Sequence, residues 1–302
     1  MKAAQPSHPA CVIQTQGIAA SLGGNHQGCA LGPATLRDSN QFNQFLKKSG
    51  IQLNWQAMLT PNQLLGVNPA IKKLCSEAAC VCQEFIQQKQ PFIFFSGEHA
   101  YAMGIWQGAI KALAQEGKTL GLIWIDAHMD AHTFHSSPSG NVHGMPVAAL
   151  LGEGDEELDE IYNQGPIINP KNLAMLGVRS FEKAEQTLLD KLKVSVVFMK
   201  DVNSPESLKN YLRRLRDDLL QQADYFAISL DIDAIDPIDA PAVGVPEALG
   251  LSGAELCEAL KQFNGDKRLL GMEISEYSPE FDQQKKTQQL ISKLLSAVYG
   301  KS

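Results

Sequence analysis

The sequence predicts a single α/β domain, a three-layer, doubly wound fold in which helices cover both faces of a parallel β-sheet. Two observations favour this fold. Short apolar runs recur along the 302 residues, and amphipathic, helix-like stretches separate them. The runs are almost continuously hydrophobic, which is typical of strands buried on both faces of a parallel sheet. Because strands and helices alternate and no linker rich in Pro, Gly and Ser divides residues 1–302, we expect one domain.

The predicted elements follow in chain order. The apolar runs are short enough for buried strands and too continuous for exposed ones. They are PFIFFSG (91–97), TLGLIWIDAH (119–128), NLAMLGVR (172–179), VSVVFM (194–199), YFAISLDID (225–233) and RLLGMEIS (268–275). The stretches between them are amphipathic, which predicts helices packed on the sheet. These helices cover residues 74–89, 101–116, 205–222, 252–263 and 283–299.

The charge balance argues against two classes of partner. The net charge is −7, with 26 basic and 33 acidic residues, and no run of Lys or Arg forms a basic patch. Nucleic acid and anionic membranes are therefore not expected as partners. The N-terminal sequence has no continuous apolar segment of a signal peptide, and no stretch approaches about 18 uncharged apolar residues. We expect a cytoplasmic protein.

The six cysteines are sparse for a chain of this length. Cys75, Cys80 and Cys82 lie close together within one predicted helix and have no histidine nearby. A zinc site or a disulfide is one interpretation of such a group. Reduced thiols in the core of a cytosolic protein are the interpretation that we favour.

Acidic and histidine-rich clusters follow three of the predicted strands. SGEH ends the first strand region, DAHMDAH follows the second, and SLDID closes the strand that begins near Tyr225. In open α/β sheets, ligand sites form beyond the carboxyl ends of the strands. We therefore expect three strands to deliver these polar side chains to one crevice.

These clusters predict a metal site. Asp126, His128 and Asp130 occupy alternate positions, so an extended segment directs all three to one side. Carboxylates that converge at strand ends would repel one another without a cation. Carboxylates with a minority of imidazoles and no cysteine favour Mn²⁺, with Co²⁺, Fe²⁺ or Zn²⁺ as substitutes. The candidate ligands are His99, Asp126, His128, Asp130, Asp231 and Asp233.

The order and spacing of three motifs resemble those of a known family. SGEH (96–99), DAHMD (126–130) and SLDIDAIDP (229–237) are similar to the metal motifs of the ureohydrolases, the arginases and agmatinases. The resemblance extends from GPATLR (32–37) to GMEISEYSP (271–279). It implies one α/β domain around a parallel sheet of about eight strands, two Mn²⁺ ions per chain, a small guanidino substrate and a homo-oligomer, either a trimer or a hexamer.

The resemblance also implies how two metals would share the ligands. One metal would be held by the residues at His99, Asp126, Asp130 and Asp231. The other would be held by those at Asp126, His128, Asp231 and Asp233. Asp126 and Asp231 would then bridge the two metals.

The segment SPSGNVHGMP (137–146) resembles the arginase loop that binds the α-amino-acid end of the substrate. The resemblance assigns Ser139 and Asn141 to the α-carboxylate and α-amino groups, and His143 to proton transfer. Glu276 matches the glutamate that orients the guanidinium. Asp130 would accept a hydrogen bond from the attacking oxygen. Without the resemblance, the segment at Ser139 is an ordinary turn and Glu276 is a solvated carboxylate after a strand.

Several positions depart from the arginase pattern. SGEHA (96–100) replaces the usual double glycine and aspartate, and Val245 stands where threonine is common. VRSFE (178–182) lacks the first of two aspartates near the α-amino group, and Glu182 replaces the second. His132 stands where arginases have an asparagine that contacts the substrate carboxylate. We consider it as a donor to that carboxylate, as a further metal ligand, or as a solvated loop residue.

The expected reaction is hydrolysis of L-arginine to L-ornithine and urea. A hydroxide bridging two cations would attack the guanidinium carbon. The alternatives that keep the metals are hydrolysis of agmatine, guanidinobutyrate or formimidoylglutamate. Two further alternatives are a single-zinc deacetylase of related fold and a non-catalytic, metal-binding relative.

Overall fold

The computed structural model describes residues 11–162 and 167–301. Within these ranges, eight parallel strands form one sheet. The strands are β1 (Cys11–Ile18), β2 (Ile51–Trp55), β3 (Phe92–Ser96), β4 (Leu120–Ile125), β5 (Leu173–Val178), β6 (Ser195–Phe198), β7 (Tyr225–Asp231) and β8 (Leu269–Ser275). Their order across the sheet is β2-β1-β3-β8-β7-β4-β5-β6. The predicted α/β fold with a parallel sheet of about eight strands is confirmed.

Ten α-helices accompany the sheet in the described part of the chain. They are α1 (Gly32–Asp38), α2 (Asn40–Lys48), α3 (Val67–Gln87), α4 (Ala102–Gln115), α5 (Pro146–Leu151), α6 (Glu156–Tyr162), α7 (Lys183–Leu192), α8 (Pro205–Leu219), α9 (Gly253–Leu260) and α10 (Lys286–Tyr299). In the two described ranges, no helix has both the length and the apolar character that a membrane span requires.

Side chains alternate across each strand and build a core on both faces of the sheet. In β3, Phe92 and Phe94 pack with α3 and α4, whereas Ile93 and Phe95 pack on the opposite face with α2 and α10. All four are buried. The helices therefore form two outer layers, which is the three-layer arrangement that continuous apolar strands predict.

Helices α3 and α4 pack closely because glycines remove side chains at their contact. A Cβ built on Gly104 would lie 2.3 Å from the carbonyl oxygen of Cys75. The buried thiols of Cys75 and Cys82 belong to this packed face, as the core-thiol interpretation predicts. For Cys80 the interpretation is wrong, because its side chain is exposed on the outer face of α3.

All six predicted strands are present, but the sequence analysis missed β1 and β2. The strand β1 is buried yet contains Gln14, Thr15 and Gln16, so its pattern is not continuously apolar. The edge strand β2 alternates buried and exposed residues over only 5 positions. Five shorter helices were also missed, namely α1, α2, α5, α6 and α7.

The sheet order sets the location of the candidate site. The strands β3, β8, β7 and β4 are direct neighbours at the centre of the sheet. All are parallel, so their carboxyl ends meet at one edge. The predicted ligands and Glu276 follow these ends, which brings segments from distant parts of the sequence together.

Candidate active site

His99 is the centre of one group of candidate ligands. It follows β3 immediately after the turn at Gly97 and Glu98, and its ring is buried. Its Nδ1 lies 3.0 Å from Asp126 Oδ2, 3.3 Å from Asp130 Oδ2 and 3.3 Å from Asp231 Oδ2. One imidazole nitrogen thus faces three carboxylates, which is the arrangement of a shared coordination site.

His128 is the centre of a second group. Its Nδ1 lies 3.1 Å from Asp233 Oδ2 and 3.5 Å from Asp126 Oδ1. The two carboxylate oxygens of Asp126 therefore face different histidines, Oδ2 towards His99 and Oδ1 towards His128. The structure brings the six predicted ligands together in two adjacent groups, and Asp126 belongs to both.

Local backbone hydrogen bonds hold these carboxylates in place. The Asp126 Oδ1 accepts from the backbone N–H of His128 at 2.7 Å, and the Asp231 Oδ1 accepts from that of Asp233 at 2.8 Å. Asp130 and Glu276 have φ angles of 50° and 65°, a left-handed conformation that non-glycine residues rarely adopt. Strain of this kind is concentrated at functional sites, where the surrounding structure enforces it.

The electrostatics of the two groups favour a bound cation. Burial, together with repulsion from neighbouring aspartates, raises the pKa of Asp130 to about 7 and also raises the pKa values of Asp231 and Asp233. Burial opposes the charge of His99, but three carboxylates outweigh it and raise the pKa of the imidazole. A set of four buried aspartates and two imidazoles fits hard or borderline divalent cations such as Mn²⁺.

Buried polar residues contact the Nε2 side of the His99 ring, opposite the nitrogen that faces the carboxylates. Its Nε2 lies 3.0 Å from the Ser229 hydroxyl oxygen, which donates to Glu273 Oε2 at 2.7 Å. The ring stacks on Trp124, and the Trp124 Nε1–H donates to Asp126 Oδ2 at 2.9 Å. The sequence analysis missed these supports because Ser229, Trp124 and Glu273 lie within predicted strands. The sequence signal that could have found these supports is their alternating position relative to the candidate ligands at the strand ends.

A cavity of about 340 Å³ opens onto both ligand groups. It contains all the predicted substrate-contact and proton-transfer residues, and also two acidic residues that the sequence analysis missed, Glu185 and Glu247. The predicted residues in its lining are His132, Ser139, Asn141, His143, Glu182 and Glu276. Metal ligands and recognition residues therefore share one space.

His143 and Glu276 lie side by side next to the first ligand group. The Nδ1 of His143 is 3.6 Å from Glu276 Oε1, which also accepts the backbone N–H of His99 at 3.0 Å. Burial disfavours the charged imidazole, but Glu276 outweighs burial and raises the pKa of His143 to about 9. Burial likewise opposes the carboxylate, yet hydrogen bonding to His143 lowers the pKa of Glu276.

His132 also lines the cavity and is only 7% exposed, so the solvated alternative is wrong. Its Nε2 lies 2.9 Å from Glu182 Oε2 and 3.3 Å from Glu185 Oε2. Its Nδ1 lies 3.1 Å from the Ser136 hydroxyl oxygen. Both ring nitrogens thus have protein partners. Burial opposes ionisation, but the two glutamates outweigh it and raise the pKa of His132 to about 9.

Arg179, in the VRSFE segment, ties two loops at the site together. Its guanidinium donates to the carbonyl oxygens of Asp233 at 2.8 Å and Ala234 at 3.1 Å. It also donates to the carbonyls of Glu247 at 2.8 Å and Ala248 at 3.0 Å. The loop that carries Glu247 is thereby held against the turn that follows β7. The sequence analysis did not single out this arginine.

The chain matches the arginase family over residues 13–300. It is 30% identical over 300 residues to the arginase of Bacillus subtilis strain 168, which covers 96% of this chain and 98% of that protein. An arginase of Agrobacterium fabrum is 28% identical over 298 residues, 95% of this chain and 90% of that protein. The solved arginase structure from Bacillus caldovelox is similar with a TM-score of 0.87 at 27% identity, and the similarity covers 96% of this chain and 98% of that one.

The fold and the site define a class of α/β enzymes whose parallel sheet gathers aspartate and histidine side chains at its carboxyl edge. The chain belongs to the arginase family. The resemblance to ureohydrolases is therefore confirmed, as is the prediction of a hydrolase that acts on carbon–nitrogen bonds of linear amidines.

Proposed function

We propose that the chain hydrolyses L-arginine to L-ornithine and urea with two Mn²⁺ ions per chain. The observation that carries this proposal is the single cavity of about 340 Å³. It combines the two ligand groups, the adjacent pair His143 and Glu276, and the Ser139–Asn141 segment. Relatives named arginase, at 30% identity over 96% of the chain, support the choice of substrate.

The ligand groups would hold the metals as their contacts suggest. His99, Asp130 and Asp231 belong to one group, His128 and Asp233 to the other, and Asp126 is common to both. Divalent cations bound there supply Lewis acidity and make water nucleophilic at neutral pH. We expect Mn²⁺ from the donor set, with Co²⁺, Fe²⁺ or Zn²⁺ as replacements.

The chain's own side chains would then position the substrate and move a proton. Glu276 is buried and ionised, so it can hold the guanidinium by charge-assisted hydrogen bonds. Asp130 accepts a hydrogen bond from the attacking oxygen. His143, beside Glu276, would transfer a proton to the leaving amine, since Glu276 holds the imidazole in its protonated form at neutral pH.

In the same cavity, Ser139 and Asn141 would bind the α-amino-acid end of the substrate. The Ser139 hydroxyl already accepts the backbone N–H of Asn141 at 3.2 Å, which fixes the segment while leaving the Asn141 side chain in the cavity lining. Glu182 and His132 line the same cavity. A substrate with an α-carboxylate would find hydroxyl and amide donors here.

A panel assay tests the proposal. Urea release is measured with added Mn²⁺ for L-arginine, agmatine and guanidinobutyrate, and formamide release for formimidoylglutamate. We expect the highest kcat/KM for L-arginine, and loss of activity in the chelated protein. A higher kcat/KM for agmatine would replace arginine as the substrate. No turnover of any compound by the Mn²⁺-loaded protein would favour the non-catalytic alternative. Light scattering of the same preparation tests the proposed homo-oligomer, which we expect to be a trimer or hexamer.

A further inference from the structure

His132, Glu182 and Glu185 form a cluster of one imidazole and two carboxylates in the cavity lining. The backbone N–H groups of Ala131 and Glu182 donate to Glu185 Oε1 at 3.0 Å and Oε2 at 2.9 Å. The imidazole Nε2–H points at Glu182 Oε2, 2.9 Å away, and at Glu185 Oε2, 3.3 Å away. The Ser136 hydroxyl closes the other side of the ring. The hydrogen bonds of the cluster are thus largely satisfied within the protein.

The cluster lies where the proposed function places the α-ammonium of the substrate. All three side chains line the same cavity as Ser139 and Asn141. Of the two carboxylates, Glu185 is buried and fully hydrogen-bonded, whereas the side chain of Glu182 is 58% exposed. Glu182 is therefore the carboxylate of the cluster that a substrate ammonium can reach from the cavity.

We propose that His132 is a specificity-determining residue that occupies these carboxylates with its own N–H, so that the site tolerates guanidino acids that lack an α-ammonium. This inference rests on the proposed function and names its substrate class more closely. It would make the site a hydrolase of guanidino carboxylates, among them L-arginine.

The physical reason for this tolerance is the set of hydrogen-bonding groups of the protein that each substrate leaves without a partner. Without His132, Glu182 and Glu185 Oε2 would each lose a side-chain donor, and a ligand that brings no ammonium would displace water from exposed Glu182 without supplying a replacement. With the imidazole N–H in place, that penalty is already removed. One imidazole N–H and the Ser136 hydroxyl are enough to make these hydrogen bonds, so the effect requires no positive charge on the ring. The α-carboxylate keeps its donors at Ser139 and Asn141.

Three compounds distinguish recognition of the α-ammonium from recognition of the α-carboxylate. L-Arginine has both α groups, 5-guanidinopentanoate lacks only the α-ammonium, and agmatine lacks only the α-carboxylate. The test measures kcat/KM for all three on one Mn²⁺-loaded preparation, so that the folded, active fraction cancels in each ratio. For the native chain we expect arginine to exceed 5-guanidinopentanoate by less than about tenfold, the discrimination of a site with few unpaired groups.

His132→Asn should widen the ratio of arginine to 5-guanidinopentanoate by about tenfold or more, since the shorter asparagine side chain does not carry its amide to the position of the imidazole Nε2. The ratio of arginine to agmatine should change by less than about threefold, because both compounds carry the ammonium. Ser139→Ala is the matched control at the carboxylate end. It should narrow the arginine-to-agmatine ratio and leave the ratio to 5-guanidinopentanoate in place.

A binding measurement gives a readout apart from turnover. Calorimetry on the Mn²⁺-loaded protein compares L-ornithine with 5-aminopentanoate, which differ only by the α-ammonium. We expect the ratio of the two dissociation constants to grow in His132→Asn and to shrink in Glu182→Gln, which removes the exposed carboxylate of the cluster. Unchanged ratios in both variants, or a narrower ratio in His132→Asn, would overturn the inference. If no guanidino compound is hydrolysed but the two ligands still follow this pattern, the proposed function fails and the inference about recognition stands.

Discussion

Two sets of residues at the cavity differ in how they are held. The six candidate ligands are called the metal end, and His132, Ser139, Asn141, Glu182 and Glu185 are called the recognition end. At the metal end, the ligands lie at the ends of three central strands, β3, β4 and β7, are buried apart from a quarter of the His128 side chain, and contact one another within 3.5 Å. At the recognition end, the residues lie on loops and on the first turn of α7, and Glu182 is 58% exposed. Residues at strand ends are held by the rigid sheet, whereas residues on loops vary more readily among relatives. The candidate ligands therefore keep the motifs that resemble the family's, while the residues of the recognition end depart from its pattern.

The largest expected effect tests the metal end. Asp126→Asn changes the one ligand that both groups share, so we expect it to weaken binding of both metals. Loss of a residue that merely supports a ligand costs about 10–100-fold in metal affinity or activity, so losing this one should exceed about 100-fold. Metal analysis and urea release measure the two effects.

The matched control for Asp126→Asn is His128→Ala. His128 contacts only the second group, so its loss should remove mainly one metal per chain. Equal metal loss in the two variants would show that the groups do not share Asp126 in solution. A native enzyme that is fully active with one tightly held ion would contradict the proposal of two metals.

The metal end was predictable because its signal is local. Asp126, His128 and Asp130 lie within five consecutive positions, and buried strands in this fold end at one edge. The supports behind them were not predictable in the same way. Ser229 and Glu273 become neighbours only because β7 and β8 pair. The sequence of either strand alone does not show which strand it will pair with. The sequence therefore predicts which side chains meet at the edge more readily than those that meet within the sheet.

The fold shows the same limit at β1. Gln14 and Gln16 interrupt its apolar pattern, yet both are buried. Their amides are satisfied by distant partners, since Gln14 accepts from Asn54 and Gln16 donates to the carbonyl of Ala57. A buried polar group needs such a partner, and the sequence does not show where it will be. At the recognition end, Glu185 was missed for the same reason, because it has the appearance of a solvated helix residue.

The next effect in size concerns Glu276. Glu276→Gln keeps the shape of the side chain but removes the charge that would hold the guanidinium, and hydrogen bonds to charged groups contribute about 1.5–3 kcal/mol. We expect kcat/KM for L-arginine to fall by about 10–100-fold with metal content unchanged. Glu280→Gln is the control, since Glu280 is about half exposed and lies outside the cavity lining. A fall in metal content would instead place Glu276 among the ligands.

A smaller effect is expected from the support behind His99. Ser229→Ala removes the hydroxyl that links the His99 ring to Glu273, without touching a metal-facing atom. We expect metal affinity to weaken by about tenfold, the lower end for loss of a supporting hydrogen bond. Competition with a chelator measures this effect. Ser96→Ala, which removes the other hydroxyl on Glu273, should have less effect on the metal, since Ser96 has no contact with His99. Equal effects would indicate that Glu273, not the link to His99, is what matters.

The smallest expected effect concerns Ser139 and the preference for L-arginine over agmatine. Ser139→Ala removes a hydroxyl that would bind the α-carboxylate, and a neutral hydrogen bond contributes about 0.5–1.5 kcal/mol. The ratio of kcat/KM for L-arginine to that for agmatine should therefore fall by about 2–10-fold, with turnover of agmatine nearly unchanged. Asn141→Ala should act in the same direction, because both side chains line the cavity. Ser137→Ala is the comparison variant, since its hydroxyl also lines the cavity, lies 3.4 Å from the Ser139 hydroxyl and accepts the backbone N–H of Gly140. If Ser137→Ala narrows the ratio as much as Ser139→Ala does, the two hydroxyls act together, and the carboxylate is not bound by Ser139 alone. If neither variant changes the ratio, the carboxylate is bound elsewhere, and preference for arginine must arise from residues outside this segment.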